Sequence, residues 1–242
     1  MSTTHQRGFT LLEIMIAMTI GLFLAGALVT VVQTNKRVFL NQNQLEQMQD
    51  GERMAMTLMA DVIQSAGYFP DPTTNTLGGT LVLSGAFANS QAITGNYTAA
   101  APGDTISVRY MTASGDNILN CSGLSNTSGA NTIYVNKFAV VPGVPSGQLV
   151  CTMNGTAYTL VNGVTNLTVL YGVKTNAAAA GNNVDEYLNA GQMTPANWQN
   201  VISVQISLTF LNPLYSAAGQ GQAQFITVQR VVDVMNQTGP TT

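Results

Sequence analysis

A long apolar run near the amino terminus constrains this chain more than any other feature. Residues Phe9 to Val32 are predominantly apolar, contain no proline and include one charged side chain, that of Glu13. The run exceeds the roughly 20 residues that an α-helix needs to cross a bilayer, and its leucine, isoleucine, methionine and alanine residues favour helix formation. The sequence therefore predicts a transmembrane helix whose spanning part covers residues 9–32.

The residues around this run distinguish it from a secretory signal. Such a signal carries an A-x-A-like cleavage site after its apolar core, and no such site follows Val32. Here a candidate cleavage point precedes the core, between Gly8 and Phe9. Arg7 and the amino terminus lie on that side, so the positive-inside rule leaves residues 1–8 in the cytoplasm and sends the long remainder outward.

The carboxylate of Glu13 is the second unusual feature of the run. A carboxylate inside an apolar helix costs on the order of 2.5–3.5 kcal/mol at mid-bilayer, less near the edge, and such residues are by default functional. Cleavage after Gly8 would give Phe9 an amino-terminal cation, four residues from Glu13 along the same helix face. The carboxylate could equally reach the amine of a neighbouring copy. The alternative is that Glu13 only reaches the membrane interface as an incidental anchor residue.

The stretch Arg7-Gly8-Phe9-Thr10-Leu11-Leu12-Glu13 resembles the prepilin processing signal of type IV pilins and type II secretion pseudopilins. In that family the prepilin peptidase cuts the leader after the glycine, the new terminal phenylalanine is N-methylated, and the glutamate docks each subunit. The resemblance therefore implies a leader at residues 1–8, processing at Gly8 and Phe9, and subunit docking by Glu13. The proline that is frequent inside the family's membrane helix is absent here, so its kink is not expected.

Small residues recur along one side of the predicted membrane helix. Ala17, Gly21 and Ala25 are spaced four residues apart, and such a stripe lets a second helix approach closely. We interpret these residues as a helix-packing surface, which a filament with a core of packed helices would use. The alternative is that alanine and glycine are simply common in spanning helices.

The helix is predicted to continue beyond the membrane. No proline occurs between Val38 and Ala66, Gly67 stands where a glycine ends a helix, and Pro70 forbids continuation. This predicts a helix over residues 9–67, about 87 Å long from Phe9 to Ala66 at 1.5 Å per residue. Its second half is amphipathic and is expected to pack on a globular domain, as are the methionines of this part. The apolar positions are Ala55, Leu58, Met59, Val62, Ile63 and Ala66, and the methionines are Met48, Met54, Met56 and Met59.

Residues 68–242 form the predicted β-rich globular domain. The predicted strands are Thr105–Met111, Thr132–Val141, Leu149–Met153, Thr156–Leu160, Val164–Val173, Val201–Leu211 and Gln224–Val234. Asn154-Gly155 is the strongest short-range hairpin signal, and no strand is followed by a clear crossover helix, which favours a mainly antiparallel sheet. The predicted loops are Phe69–Gly103, Cys121–Asn131, Lys174–Pro195 and Asn212–Gln222. The fold class is therefore α+β, with a long amino-terminal helix packed on an antiparallel sheet.

The two cysteines predict a disulfide. Cys121 lies in a predicted loop and Cys151 in a predicted hairpin strand, and an even pair in an exported domain favours a bridge over two free thiols. A metal site is not predicted, because two thiols without a histidine are too few ligands for zinc.

Composition and motifs argue against an enzyme. His5 is the only histidine and lies in the predicted leader, so the mature chain cannot build a Ser-His-Asp or Cys-His arrangement. Asp185-Glu186 is interpreted as a solvated acidic turn rather than a glycosidase pair, with calcium binding by this loop as the alternative. Trp198 is interpreted as a core anchor. With 8% charged residues, a net charge of −3 and no basic run beyond Lys36-Arg37, nucleic acid is not an expected partner. No cofactor or small-molecule substrate is predicted.

Further short stretches resemble PilW-type minor pilins, large minor subunits similar to GspJ pseudopilins. These are Ala66-Gly67-Tyr68, Asp104 to Tyr110, Leu170 to Val173, and Trp198 with Val201. The resemblance implies a single-pass inner-membrane subunit with a periplasmic domain, which helps prime pilus assembly and is placed at the filament tip. Its implied partners are other minor pilins and the major pilin.

Two alternatives remain open from the sequence. A minor pseudopilin of type II secretion would be built identically but would serve protein export. A protein from a different class, a membrane-anchored extracytoplasmic binding or enzyme domain, would carry an amino-terminal signal that only mimics a prepilin and would keep Arg7 in the uncut chain.

Overall fold

A single helix, α1, dominates the amino-terminal part of the protein. The computed structural model describes residues 10–144, 146–176, 181, 183–215 and 221–235, so the predicted leader with Gly8 and Phe9 lies outside the described residues. The chain divides into a first compact unit up to Gln47 and a second from Met48. Helix α1 comprises Leu11–Gln64, and it is the one described helix that is long and apolar enough to cross a membrane.

The end of α1 shows why the helix stops slightly before the predicted residue 67. The last turn tightens, because the amide of Ala66 donates to the carbonyl of Ile63 at 3.1 Å. Gly67 then adopts a φ of 75°, a conformation that favours glycine, and its amide donates across to the carbonyl of Arg109 at 3.1 Å. The predicted glycine stop is confirmed, and the regular helix ends at Gln64.

In the second unit, one side of α1 packs on the sheet. The buried residues are Ala55, Met56, Met59, Ala60, Val62 and Ile63. Gly51 allows the close approach, since a Cβ there would lie 2.6 Å from Cγ2 of Val161. Met54 corrects the methionine prediction: its side chain is 58% exposed, because at 3.6 residues per turn it lies on the side opposite Met56 and Met59.

The sheet of the second unit is antiparallel, as predicted. Its strands are β1 Ile93–Asn96, β2 Thr105–Thr112, β3 Thr132–Val141, β4 Gly147–Met153, β5 Thr156–Val173, β6 Glu186–Leu188, β7 Val201–Leu211 and β8 Phe225–Asp233. The order across the sheet is β1-β2-β3-β4-β5-β7-β8, with β6 paired to β5. Every strand pairing is antiparallel. The predicted α+β pilin-like architecture is confirmed.

Two predicted strands, 156–160 and 164–173, are one strand. Strand β5 continues through residues 161–163 and is 18 residues long. Gly163 has a φ of 89° and lies where the register with β4 shifts, which is a β-bulge that bends the strand without ending it.

Two predicted loops contain regular structure. Residues 69–103 include the short helix α2, Leu77–Thr80, and strand β1. Residues 174–195 include β6, and Pro195 starts a second short helix, α3, Pro195–Gln199. These segments are three to five residues long, too short for periodicity to reveal. The described part of 121–131 contains no helix or strand, as predicted.

The hairpin signal at Asn154-Gly155 is confirmed. Asn154 and Gly155 connect β4 to β5 with φ angles of 47° and 91°, the two positive values that a type I′ turn requires. The side-chain oxygen of Asn154 also accepts a hydrogen bond from the amide of Val135 at 3.1 Å, which ties the turn to β3.

The predicted core anchor Trp198 lies at the edge of the core. It is half-buried, and its ring contacts that of Tyr171 edge-on, with 4.8 Å between ring centroids. Tyr171 is fully buried, and this burial, with the negative charge of Asp104, raises the pKa of its hydroxyl. The tryptophan therefore covers a buried tyrosine on β5 and adds edge-to-face contact.

Cys121 and Cys151 form the predicted disulfide. Both are fully buried, their Cα atoms are 6.3 Å apart and the bridge spans 30 residues. It ties the loop after β2 to the middle of β4, beside the packed half of α1. The loop length gives roughly 3–4 kcal/mol of stabilisation on the chain-entropy model.

Replacing both cysteines with serine is expected to lower the free energy of unfolding by about 3–4 kcal/mol. Urea denaturation of the full chain in detergent, followed by tyrosine and tryptophan fluorescence, measures this change. The reduced wild-type protein is the control and should unfold close to the double variant. A loss below about 1 kcal/mol would contradict the stabilising role.

Candidate functional site

The first turn of α1 holds the candidate functional site. Thr10 is the last residue before the helix, and its carbonyl accepts the first intrahelical hydrogen bond from the amide of Ile14 at 3.3 Å. The hydroxyl of Thr10 accepts a hydrogen bond from the amide of Glu13 at 3.3 Å. In return, Oε2 of Glu13 accepts from the amide of Thr10 at 2.9 Å and from its hydroxyl at 3.1 Å. This reciprocal arrangement is a capping box.

The capping box changes the interpretation of Glu13. Within one chain the carboxylate already satisfies the exposed amide of Thr10, so it is not an unpartnered charge at the helix start. The hydrogen bonds use Oε2 alone, and Oε1 has no hydrogen-bond partner among the described residues. The site can therefore cap its own helix and still offer an oxygen to a cation outside the chain. Sequence reasoning missed this role, although the Thr-x-x-Glu spacing is its known signal.

The predicted packing stripe lies one turn further along α1. Ala17, Gly21 and Ala25 are all exposed, and a Cβ added at Gly21 would meet nothing within 4 Å. Large apolar side chains beside the stripe are also exposed, among them Leu22 at 78% and Phe23 at 80%. A helix that is apolar on all sides requires lipid or other helices around it.

The acidic pair at 185–186 lies where β6 begins rather than in the predicted turn. The carboxylate of Asp185 accepts hydrogen bonds from the amides of Asn176 at 3.0 Å and Thr175 at 2.9 Å. These amides, the hydroxyl of Thr175 and the charge of Lys174 hold the pKa of the Asp185 carboxyl below its usual range. Glu186 begins β6. Over the described ranges, no group of three Cys, His, Asp or Glu side chains is placed to hold a metal ion.

The principal buried charge of the second unit is Arg109 on β2. Alternation along the strand places it opposite the face of Ile106, Val108 and Tyr110, yet it is only 1% exposed. The segment that precedes β1 covers it, and its guanidinium donates to four backbone carbonyls of that segment. These belong to Leu81, Val82, Ala88 and Gln91, at 3.0, 2.6, 2.7 and 2.7 Å respectively.

Arg109 and Asp104 together fix the segment that joins α1 to β2. The guanidinium carbon of Arg109 lies 4.7 Å from the ring centroid of Phe87, and burial lowers the pKa of this side chain. Asp104, also buried, accepts from the amides of Thr98 at 2.8 Å and Val169 at 2.9 Å. These charges hold backbone in place, and sequence alternation offers no signal for either.

Comparison with known families gives two matches. The family model for the type IV pilus-assembly protein W matches residues 123–240, which include β3 to β8. The model for the prokaryotic N-terminal methylation motif matches residues 3–29, which include the capping box and the stripe. No curated protein and no solved structure matches the chain. The apolar helix behind the methylation motif fits an inner-membrane anchor that enters a pilus. With its long apolar helix and antiparallel sheet, the chain is a type IV pilin-like protein, and its residues 123–240 are similar to the PilW family.

Proposed function

We propose that this protein is a minor pilin of a type IV pilus. It is a structural, non-enzymatic subunit that helps prime filament assembly in the inner membrane and is placed at the filament tip. The observation that carries the proposal is the methylation motif joined directly to a helix whose most apolar 18-residue window is entirely unburied in the single chain. Such a helix needs first lipid and then other subunits.

The proposed mechanism starts with removal of the leader. The prepilin peptidase cuts after Gly8, and the amine of Phe9 becomes a cation that is later methylated. Glu13 of one subunit then pairs with the Phe9 cation of a neighbour. Because Oε2 caps its own helix, Oε1 is the oxygen available to that neighbour. The pair neutralises a carboxylate that is costly in an apolar environment.

The remaining contacts follow from the rest of α1. The apolar helix leaves lipid for the core of the filament, where the stripe of Ala17, Gly21 and Ala25 allows neighbouring helices to approach closely. The neighbours are other minor pilins and the major pilin. The sheet domain lies in the periplasm before assembly and on the outside of the filament afterwards.

The experiment that tests this function is peptide mass spectrometry on filaments sheared from the native host, beside its membrane fraction. A methylated peptide that begins at Phe9, at low abundance in the sheared filaments, is the expected result. The processed peptide in the membrane alone would favour a type II secretion pseudopilin or a primer that never leaves. An intact leader in both fractions would overturn the proposal.

Cleavage itself is predicted to depend on the size of the residue at position 8. A bulky replacement, Gly8→Leu, is expected to leave the precursor unprocessed, because the peptidase must accommodate the side chain next to the bond that it cuts. Gly8→Ala is the matched control and is expected to be processed, more slowly or fully. Intact-mass measurement of the membrane-extracted protein distinguishes the two forms. A mature mass in the Gly8→Leu variant would contradict the assignment of the cleavage site.

A further inference from the structure

The last described strand, β8, forms an edge of the sheet. It pairs with β7 on one side, and on its other side no described strand pairs with it. It runs over nine residues, whereas the strand at the opposite end of the sheet order, β1, has four. An edge strand presents a row of backbone donors and acceptors to which another chain can add a strand.

A groove runs between this edge strand and α1. It has a volume of about 430 Å³ and lies wholly within the second unit. From α1 it is lined by Gln49, Glu52, Arg53, Met56 and Thr57, and from β8 by Val228, Gln229 and Arg230. A hydrogen bond from the guanidinium of Arg230 to the carbonyl of Met56 at 3.5 Å joins its two sides.

The groove concentrates positive charge. The basic residues of the second unit are Arg53, Arg109, Lys137, Lys174 and Arg230. Arg109 is buried, and two of the others, Arg53 and Arg230, line this one groove and are exposed. Glu52 also lines it, but among the described residues no ion pair joins it to either arginine. The groove is therefore suited to a carboxylate from outside the chain.

The register of β8 fixes where such a carboxylate would lie. Side chains alternate along a strand, so Arg230 shares a face with Val228 and Val232, and that face is turned towards α1. In an added strand, the residue directly opposite Arg230 points to the same face. An aspartate or glutamate at that position would enter the groove between Arg230 and Arg53. On β8 the residues two positions before and after Arg230 are the apolar Val228 and Val232.

We infer that the α1–β8 groove binds an extended segment of another protein of the filament assembly, which adds a strand to the edge of β8 and places a carboxylate between Arg53 and Arg230. The proposed function supplies the class of partner. A second copy of β8 does not fit, because the residues on the face of Arg230 are Ile226, Val228, Val232 and Val234, and none is acidic. Self-pairing would set Arg230 against apolar side chains or another arginine.

The test is photo-crosslinking of the full chain in its native host, with p-benzoylphenylalanine in place of Thr227, an exposed residue of β8. The expected crosslink joins Thr227 to a segment of another assembly protein that carries an aspartate or glutamate in register with Arg230. The double variant Arg53→Glu/Arg230→Glu should reduce that crosslink about tenfold. The matched control Lys137→Glu, which reverses an exposed charge on β3, should leave it within about twofold.

Replacing the partner's aspartate or glutamate with lysine should restore the crosslink to the Arg53→Glu/Arg230→Glu chain. The inference is overturned by a crosslink to a second copy, to lipid or to residues 236–242 of the same chain, by the absence of a crosslink, or by one that charge reversal leaves unchanged. The methylated Phe9 peptide is measured in the same sheared filaments. If this peptide is present without the crosslink, the inference about the groove alone is wrong. If the peptide is absent, the proposed pilin function is wrong.

Discussion

Glu13→Gln is expected to be cut and methylated normally yet to reach sheared filaments at a level reduced about tenfold or more, like Glu13→Ala. The expectation rests on charge. Pairing with a neighbour's Phe9 cation offsets the cost of placing the carboxylate in an apolar environment, which is on the order of 2.5–3.5 kcal/mol at mid-bilayer and less near the edge. Glutamine keeps the shape of the side chain and loses the charge. Peptide counts for the variant in membrane and filament fractions measure the effect.

The capping box makes glutamine the informative substitution. Glutamine serves at the third helical position of a capping box as glutamate does, so Glu13→Gln retains the hydrogen bonds to Thr10 seen in the single chain. Alanine loses both the cap and the charge. If capping were the whole role of Glu13, the glutamine variant would enter filaments normally and the alanine variant would not.

Thr10→Ala is the reciprocal control. It removes the hydroxyl that caps the amide of Glu13 at a cost of about 1 kcal/mol, and it leaves the carboxylate charged. We expect this variant to be incorporated far better than either Glu13 variant. Normal incorporation of both Glu13 variants would show that the pairing mechanism is wrong.

The features that sequence predicted are those encoded in contiguous residues. The long apolar helix, the glycine stop at Gly67 and the Asn154-Gly155 turn are each determined by neighbours along the chain, and the structure contains all of them. The disulfide was predictable because two cysteines allow only one pairing. The long helix also showed in its spacing of apolar residues, which the buried side of α1 reproduces.

The features that sequence missed depend on distant parts of the chain. Strand β1 has four residues, and its pairing with β2 rather than its own pattern defines it. Arg109 occupies the face of β2 that alternation assigns to solvent, and its burial follows from the segment folded over it. The capping box differs, since Thr10 and Glu13 are close in sequence. Its signal, the Thr-x-x-Glu spacing, is present in the sequence.

The largest loss of stability is expected for Arg109→Met, at about 3–5 kcal/mol in the free energy of unfolding. Methionine fills similar volume but donates nothing, so the carbonyls of Leu81, Val82, Ala88 and Gln91 lose their donor. A buried carbonyl without a partner costs about 1–3 kcal/mol, and water reaching the outer carbonyls recovers part of the sum. Urea denaturation of the full chain measures the change.

Graded variants separate the hydrogen bonds from the charge. Arg109→Lys keeps the cation, but a compact ammonium with three donors cannot replace a planar guanidinium that reaches four carbonyls. The free energy of unfolding should therefore fall nearly as much as in Arg109→Met. Phe87→Leu removes the ring that lies under the guanidinium and should cost about 1 kcal/mol through the cation–π contact. Lys137→Met, an exposed lysine on β3, is the control and should stay within about 0.5 kcal/mol.

The location of the lost stability tests the role of Arg109 more sharply than the size of the change in the free energy of unfolding. Because the guanidinium holds the segment before β1, amide hydrogen exchange in Arg109→Met should accelerate first over residues 81–92, while β4, β5 and β7 stay protected until global unfolding. The amide of Arg109 itself donates to the carbonyl of Ala92 at 2.8 Å through the backbone, a contact that the substitution retains. Uniform acceleration across the sheet would mean that Arg109 supports the whole core rather than the segment that covers it.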